Sequence, residues 1–207
     1  MPGLLLWYST SMVKPFTPND SWARKAKEEG YLARSAYKLA AIAEKYGLIK
    51  PGDCVLDLGA APGSWLQVAS ELTGTSGRVV GVDVSPIAFR AKNVVALEQD
   101  MLAPGIDGAL APHGLFDVVL SDAAPKTSGI KDRDQTLSEE LVDRALEISE
   151  RNLKPGGNLV AKLFQSSETQ NLTKRAEQLF KRAHLYKPKA SRERSFETYL
   201  ICLGKLS

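Results

Sequence analysis

One stretch constrains the fold more than any other. Cys54-Val55-Leu56-Asp57-Leu58 is a short apolar run that leads straight into Gly59-Ala60-Ala61-Pro62-Gly63-Ser64-Trp65, and a helix is expected from there to about residue 72. A buried strand, a tight glycine loop and a helix start form a nucleotide-binding device: glycine lets the backbone approach a ligand, and small alanines leave room for it. Ser64 is expected to cap that helix. The spacing departs from the dinucleotide fingerprint, because Ala61 stands where the second glycine belongs and Ser64 where the third small residue belongs. No Gly-Lys-Ser/Thr follows, so it is not a Walker loop either. A diphosphate is disfavoured. S-adenosylmethionine, with a ribose and an amino acid but no phosphate, fits better.

The rest of the chain alternates in the same way. Strands are expected at 54–58, 78–84, 94–97, 116–121, 158–163, 184–186 and 198–203, and helices at 20–29, 35–46, 64–72, 135–153 and 168–180. Lys154-Pro155-Gly156-Gly157 reads as the turn that closes the helix before it. This pattern predicts an α/β fold, a seven-stranded, mostly parallel sheet with helices on both faces, binding its ligand at the carboxyl ends of the strands. The 207 residues suit one domain over 21–207, preceded by a flexible extension over 1–20. Residues 1–13 are apolar and uncharged, but lack the basic start and the small-residue cleavage site of a signal peptide, and Met12 is as good a start as Met1. No apolar run reaches the roughly 20 residues needed to span a membrane. Cys54 and Cys202 lack metal-ligand spacing and sit in strand-like runs, which suits reduced core thiols in a cytoplasmic protein; no metal is expected.

Carboxylates punctuate the strand ends. Asp83, followed by Val84, closes the second strand, where a carboxylate can accept hydrogen bonds from both ribose hydroxyls of a cofactor. Asp100 follows the third strand, within reach of an adenine amino group, and Met101 beside it can pack on the ring. Asp57 can either hold the loop or meet the cofactor's ammonium group. Together with Gly59, Ala60, Pro62, Gly63, Trp65 and Asp122, these are the candidate cofactor residues. Any one aspartate alone would read as a loop or cap residue; three at successive strand ends after such a loop point to a ligand.

Five segments then carry a family resemblance: Ser35-Ala36-Tyr37-Lys38-Leu39, the loop from Asp57 to Trp65, Ser121-Asp122-Ala123-Ala124-Pro125, Val160-Ala161-Lys162-Leu163-Phe164-Gln165, and Ser191-Arg192-Glu193-Arg194-Ser195-Phe196-Glu197-Thr198-Tyr199. From about residue 21 onward the chain resembles the FtsJ-type (RrmJ-type) ribose 2′-O-methyltransferases. The resemblance implies a Rossmann-like fold that uses S-adenosylmethionine. It places the family's Lys-Asp-Lys-Glu tetrad on Lys38, Asp122, Lys162 and Glu197, and implies as target a uridine in the aminoacyl-site loop of large-subunit ribosomal RNA. Two departures are Ser64, where a glycine is common, and the variable surroundings of Glu197.

The residue types make chemical sense. A ribose hydroxyl is a poor nucleophile at neutral pH and needs a base or strong orientation. Lys162 is the candidate for that work. Burial and a nearby Lys38 would favour its neutral form, while Asp122 and Glu197 would favour the charged one, so base and orienting donor both stay open. Lys38 and Glu197 would hold the target nucleotide and Lys162 in place. Base amino-group methylation fits worse, since residues 122–126 offer no aromatic to stack a flipped base. Carbon-5 methylation lacks a suitably placed cysteine.

Charge supplies the last clue. Residues 14–50 hold 8 basic and 4 acidic side chains, 51–170 hold 10 and 17, and 171–207 hold 9 and 3. Two basic ends flank an acidic middle, and if the ends meet in space they make a face suited to a phosphate backbone. Trp22, Arg24, Lys25, Lys27, Tyr31, Arg34 and Tyr37, with Lys187, Lys189, Arg192 and Arg194, interleave cations with aromatics, as contact with looped RNA requires. Arg192 and Arg194 are the first choices for phosphate contacts. Each basic run alone would read as a solvated helix face. The expected partner is RNA, as the large ribosomal subunit or its rRNA, met by a monomer. Alternatives are tRNA ribose methylation by the same chemistry and a non-catalytic, cofactor-binding ribosome-assembly factor.

Overall fold

The computed structural model describes residues 21–125, 128–191 and 195–207. Its elements in chain order are α1 (Ser21–Glu28), α2 (Ala36–Tyr46), β1 (Cys54–Leu58), α3 (Ser64–Thr73), β2 (Arg78–Asp83), β3 (Val94–Glu98), α4 (Ile106–Leu110), a 3-10 turn (Ala111–His113), β4 (Phe116–Ser121), α5 (Lys131–Asn152), β5 (Leu153–Phe164), α6 (Thr169–Leu179), β6 (Phe180–Tyr186) and β7 (Glu197–Lys205). Seven strands form one sheet in the order β3-β2-β1-β4-β5-β7-β6. β1 to β5 run parallel, and β7 inserts antiparallel between β5 and β6. The chain thus winds outward from β1 in two directions, and the crevice beyond the β1 and β4 carboxyl ends is the switch point where such sheets bind ligands.

Two apolar layers cover the sheet. Successive strand residues point to opposite faces, so Val55, Val79, Val118 and Val160 pack under α2 and α3 with Leu39, Ile42 and Leu66. Their neighbours Leu56, Val80, Val119 and Leu159 pack against α4, α5 and α6 with Leu110, Leu146, Ile148 and Ala176. The buried, near-continuous apolar character of these strands follows from having helices on both faces. Cys202 is fully buried and Cys54 partly so, and both are free thiols. Among the described residues no helix is long and apolar enough to cross a membrane.

Several expectations need correcting. Ser64 does not cap α3. Gly63 holds the N-cap at φ 119°, and Ser64 is the first helical residue, making no cap bond. A side chain at Gly63 would drive its Cβ to 2.4 Å from Phe89 Cβ, so glycine is required there. The strand over 78–84 ends at Asp83, leaving Val84 61% exposed. Residues 154–157 are not a turn between elements. Leu153 pairs with Phe116 and Asn158 with Val118, so the Pro-Gly-Gly run bulges out within β5, and Lys154 pins it to the Asp117 carboxylate at 2.8 and 2.9 Å. The helix before it begins at Lys131 rather than 135, because Asp134 accepts the Ser128 and Gly129 amides at 2.8 and 3.2 Å and folds the entering chain onto its first turn. α4 was not expected. Five residues containing Gly108 carry little helix signal, and the element is held instead by buried Ile106 and Leu110 and by Asp107 bonded to Arg151 and Asn152 at 2.7 and 3.0 Å.

Candidate active site

A cavity of about 680 Å³ opens at the carboxyl ends of β1 to β5, within the range of small-molecule sites. Its floor is the glycine loop. Gly59 sits at φ 72°, and a Cβ there would lie 2.6 Å from the Ala123 Cα. Only glycine lets the β1 loop pack directly on the β4 loop. The Gly59 and Ala60 amides donate to the Val82 carbonyl at 2.9 and 3.1 Å, which fixes the loop over β2.

The candidate cofactor residues distribute around this cavity. Gly59, Ala60, Pro62, Trp65, Asp83, Val84, Asp100, Met101 and Asp122 line it, together with Lys162. Asp57 and Gly63 are not among the lining residues. Asp83 is pre-oriented: one carboxylate oxygen accepts the Ala61 amide at 2.9 Å and the other the Ser85 amide at 2.7 Å, leaving further lone pairs for a ligand. Asp100 accepts the Leu102 amide at 2.9 Å. The sequence offered no signal for the opposite wall, where α5 contributes Arg133, Leu137, Glu140 and Leu141. The i, i+4 spacing of the two leucines shows a helix face but not which side of the site it covers.

Asp57 stands apart. It is fully buried, and neither carboxylate oxygen has a hydrogen-bond partner among the described residues. Burial pushes its pKa well above the ordinary carboxylate range, and the neighbouring Asp122 and Asp83 charges push the same way. Of its two expected roles, holding the loop through a hydrogen bond is therefore not seen. A cation arriving close by would relieve this group, which fits a cofactor bearing an ammonium.

Beside the cavity the structure gathers Lys38, Asp122, Lys162 and Glu197. The antiparallel register of β5 and β7 sets Lys162 opposite Tyr199 and Phe164 opposite Glu197. Strand alternation then puts Lys162, Tyr199 and Glu197 on one face. The Lys162 ammonium lies 3.1 Å from the Asp122 carboxylate and donates to the Asp122 carbonyl. Lys38, on the buried face of α2 and 5% exposed, donates to Glu197. Ser191 adds a bond to the same Glu197 oxygen at 3.2 Å. Burial alone would raise the Glu197 pKa, but the Lys38 ammonium outweighs it, with Lys162 and Ser191 adding to that, and the carboxyl ends below its ordinary value.

Tyr199 was not singled out from the sequence, although it lies two residues from Glu197. Its hydroxyl sits 3.1 Å from Asp122 and 3.3 Å from Glu197, so one proton is shared between the two carboxylates. Its fully buried ring stacks on Trp65 at 5.7 Å. Burial first, then Asp122 and Glu197, raises its pKa well above the usual phenol value. The signal that could have found it is chemical: a tyrosine in a buried strand needs a partner for its hydroxyl. Arg192 and Arg194 lie outside the described residues.

Comparison with known proteins gives a consistent result. Residues 31–205 match the family model described as FtsJ-like methyltransferase. A Bdellovibrio bacteriovorus protein named ribosomal RNA large subunit methyltransferase E is 42% identical over 92% of this chain and 98% of its own length. A Syntrophobacter fumaroxidans protein of the same name is 48% identical over 90% of this chain and 95% of its own. A solved Plasmodium falciparum structure, assigned as a ribosomal RNA methyltransferase, superposes with a TM-score of 0.77 at 30% identity, covering 86% of this chain and all of that one. Sheet order, glycine-loop cavity and sequence matches over nearly the whole described chain agree, and the protein belongs to the FtsJ-like methyltransferase family.

Proposed function

We propose that this protein transfers a methyl group from S-adenosylmethionine to the 2′-hydroxyl of a ribose in large-subunit ribosomal RNA, at a uridine of the aminoacyl-site loop. The observation that carries the chemistry is the Lys162 ammonium, held by Asp122 at the mouth of a glycine-loop cavity with the Lys38–Glu197 pair beside it. The names of the relatives support ribosomal RNA as the substrate.

When bound, S-adenosylmethionine supplies an electrophilic methyl group on a sulfonium. The orphaned Asp57 carboxylate, the Gly59 cradle and the pre-oriented Asp83 suit its ammonium, its close approach and its ribose in turn. An ammonium carries three N–H donors. Lys162 donates one to the Asp122 carbonyl and pairs with its carboxylate, which leaves N–H capacity for the acceptor oxygen of the RNA. Asp122 thereby holds Lys162 in the cavity lining, where it would meet the acceptor. Lys38 and Glu197 neutralise each other and keep donors and acceptors available for the ribose. Trp65 and Tyr199, stacked and buried, exclude water from the floor of this network. Alignment of acceptor and methyl supplies much of the rate.

The test is transfer of labelled methyl from S-adenosylmethionine to large ribosomal subunits, naked rRNA and total tRNA, with alkali-resistant dinucleotides as readout. Wild type should label subunits. Lys162→Ala should lower turnover by about 10² to 10⁴-fold while cofactor affinity changes little. Label on tRNA instead would move the substrate and keep the chemistry. Cofactor binding with no transfer to any RNA would sink the enzymatic reading in favour of an assembly factor.

A further inference from the structure

Two serines at the starts of α2 and α3 line the cofactor cavity, and neither caps its helix. Ser35 flanks the start of α2 and Ser64 begins α3, yet no side-chain cap bond forms at either helix. A capping hydroxyl contributes about 1 kcal/mol, which Ser35 at the N-cap of α2 forgoes; Ser64, one position past the Gly63 N-cap, is not placed to cap. Their hydroxyls face each other instead, with Oγ atoms 2.7 Å apart, and both residues line the cavity. Ser64 is 4% exposed.

Proton accounting shows what this pair can do. Two hydroxyls carry two protons, and the contact between them uses one. No other hydrogen bond involves either hydroxyl among the described residues. One O–H therefore remains uncommitted in the wall of the cavity. Ser35 is otherwise firmly held, since its carbonyl accepts the Trp65 indole N–H at 2.9 Å and the Lys38 amide at 3.0 Å.

The geometry of the cavity says what would meet that proton. Asp83 at the end of β2 and Asp100 after β3 suit a ribose and an adenine, and Lys162 in β5, with Asp122 after β4, suits the acceptor. The amino-acid arm of a sulfonium nucleoside is left with the third direction, along the glycine loop toward α2. Its carboxylate needs donors there.

We propose that the Ser35–Ser64 hydroxyl pair is a further element of the cofactor site, giving its uncommitted hydrogen bond to the carboxylate of the amino-acid arm and tying the cofactor loop to the helix that carries Lys38. This rests on the S-adenosylmethionine reading above. A ligand carboxylate seated on Ser64 orders Ser35, and Ser35 begins the turn on which Lys38 stands.

Calorimetry with two probes tests it: S-adenosylmethionine, and decarboxylated S-adenosylmethionine, which lacks only that carboxylate. Ser64→Ala should weaken S-adenosylmethionine about tenfold, as loss of a hydrogen bond to a charged group does, and weaken the decarboxylated probe less than twofold. The Ser35→Ala/Ser64→Ala double variant should lose little more than the larger single loss, because the pair acts as a unit. Ser64→Gly removes the same hydroxyl with a different effect on the helix and should follow Ser64→Ala. Thermal melts check that each variant is folded. Equal weakening for both probes, or none, overturns the proposal. So does a carboxylate-selective loss in Arg133→Gln with none in Ser64→Ala, which would put the carboxylate against α5. A folded wild type that binds neither probe sinks the cofactor reading itself, a separate failure.

Discussion

Two carboxylates in this site respond to pH in opposite senses. Glu197 has a lowered pKa because Lys38 and its neighbours outweigh its burial. Its unfolded form binds more protons in the window just below the ordinary glutamate range, so its contribution to stability is full above that range and lost as pH falls through the folded value. Asp57 has a raised pKa, caused first by burial. Its folded form binds more protons from the ordinary aspartate range up to the folded value, so stability falls as pH rises across that window. Asp57→Asn should therefore raise the melting temperature of the cofactor-free protein near neutral pH, by about 2–4 °C for each kcal/mol recovered. The gain should shrink on acidification toward pH 4, and melts at several pH values check this. The same variant should bind S-adenosylmethionine more weakly, since the orphaned charge suited to the ammonium is gone. Such a trade between stability and function is what a strained site produces. An unchanged melting temperature at neutral pH would mean that Asp57 finds a partner, such as a water, in solution.

At the level of elements, the glycine loop carries a sharper constraint than its sequence alone conveys. Gly59→Ala must place a Cβ 2.6 Å from the backbone of Ala123 at a positive φ. The β4 loop carrying Asp122 has to move, so the variant should lose about 1–3 kcal/mol of stability and bind cofactor poorly; denaturant titration and calorimetry measure both. That the loop needed glycine was legible in the sequence, since strand, loop and helix are contiguous there. Its reason was not, because Ala123 is 64 positions away along the chain. The same division holds elsewhere. The buried strands were readable from their apolar runs. The bulge at 154–157 was not, because Pro-Gly-Gly reads as a turn unless the pairing of Leu153 with Phe116 is known. Lys162 and Glu197 could be named from a resemblance, but the Tyr199 hydroxyl between the two carboxylates follows from the β5–β7 register, which no local pattern encodes. The mis-assigned cap at Ser64 has the same origin: the N-cap falls on Gly63, and Phe89, which leaves no room there for a side chain, is distant along the chain.

Across the whole molecule, the two basic ends of the chain come together. Tyr46 of α2 meets His184 of β6, with its hydroxyl 3.0 Å from the imidazole, and packs edge-on against Tyr186. Lys45 lies 4.1 Å from the Tyr186 ring centre, and Lys38 reaches Glu197 on β7. Lys38 and Lys45 of the N-terminal segment therefore meet β7 and β6 of the C-terminal segment next to the Lys162 end of the cavity, while Arg175 of α6 lies in a groove between α5 and α6 with Glu139, Glu140, Asp143 and Glu168, where acidic groups outnumber it. A polyanion approaching this molecule is drawn to the first side and repelled by the second. If the basic side is the RNA-binding face, affinity for RNA should fall steeply with salt, and exposed lysines on that side should each contribute to the slope. Lys45→Ala and Lys189→Ala should each reduce the slope of log affinity against log salt by roughly 0.7–0.9, the value for one phosphate contact. Neither substitution should alter the calorimetric affinity for S-adenosylmethionine, because neither lysine lines the cavity. Charge removal in the opposite groove, as in Glu168→Gln, should leave that slope unchanged. A slope that responds to the groove and not to the lysines would put the RNA on the far face, beyond reach of Lys162, and would break the link between the charge distribution and the site.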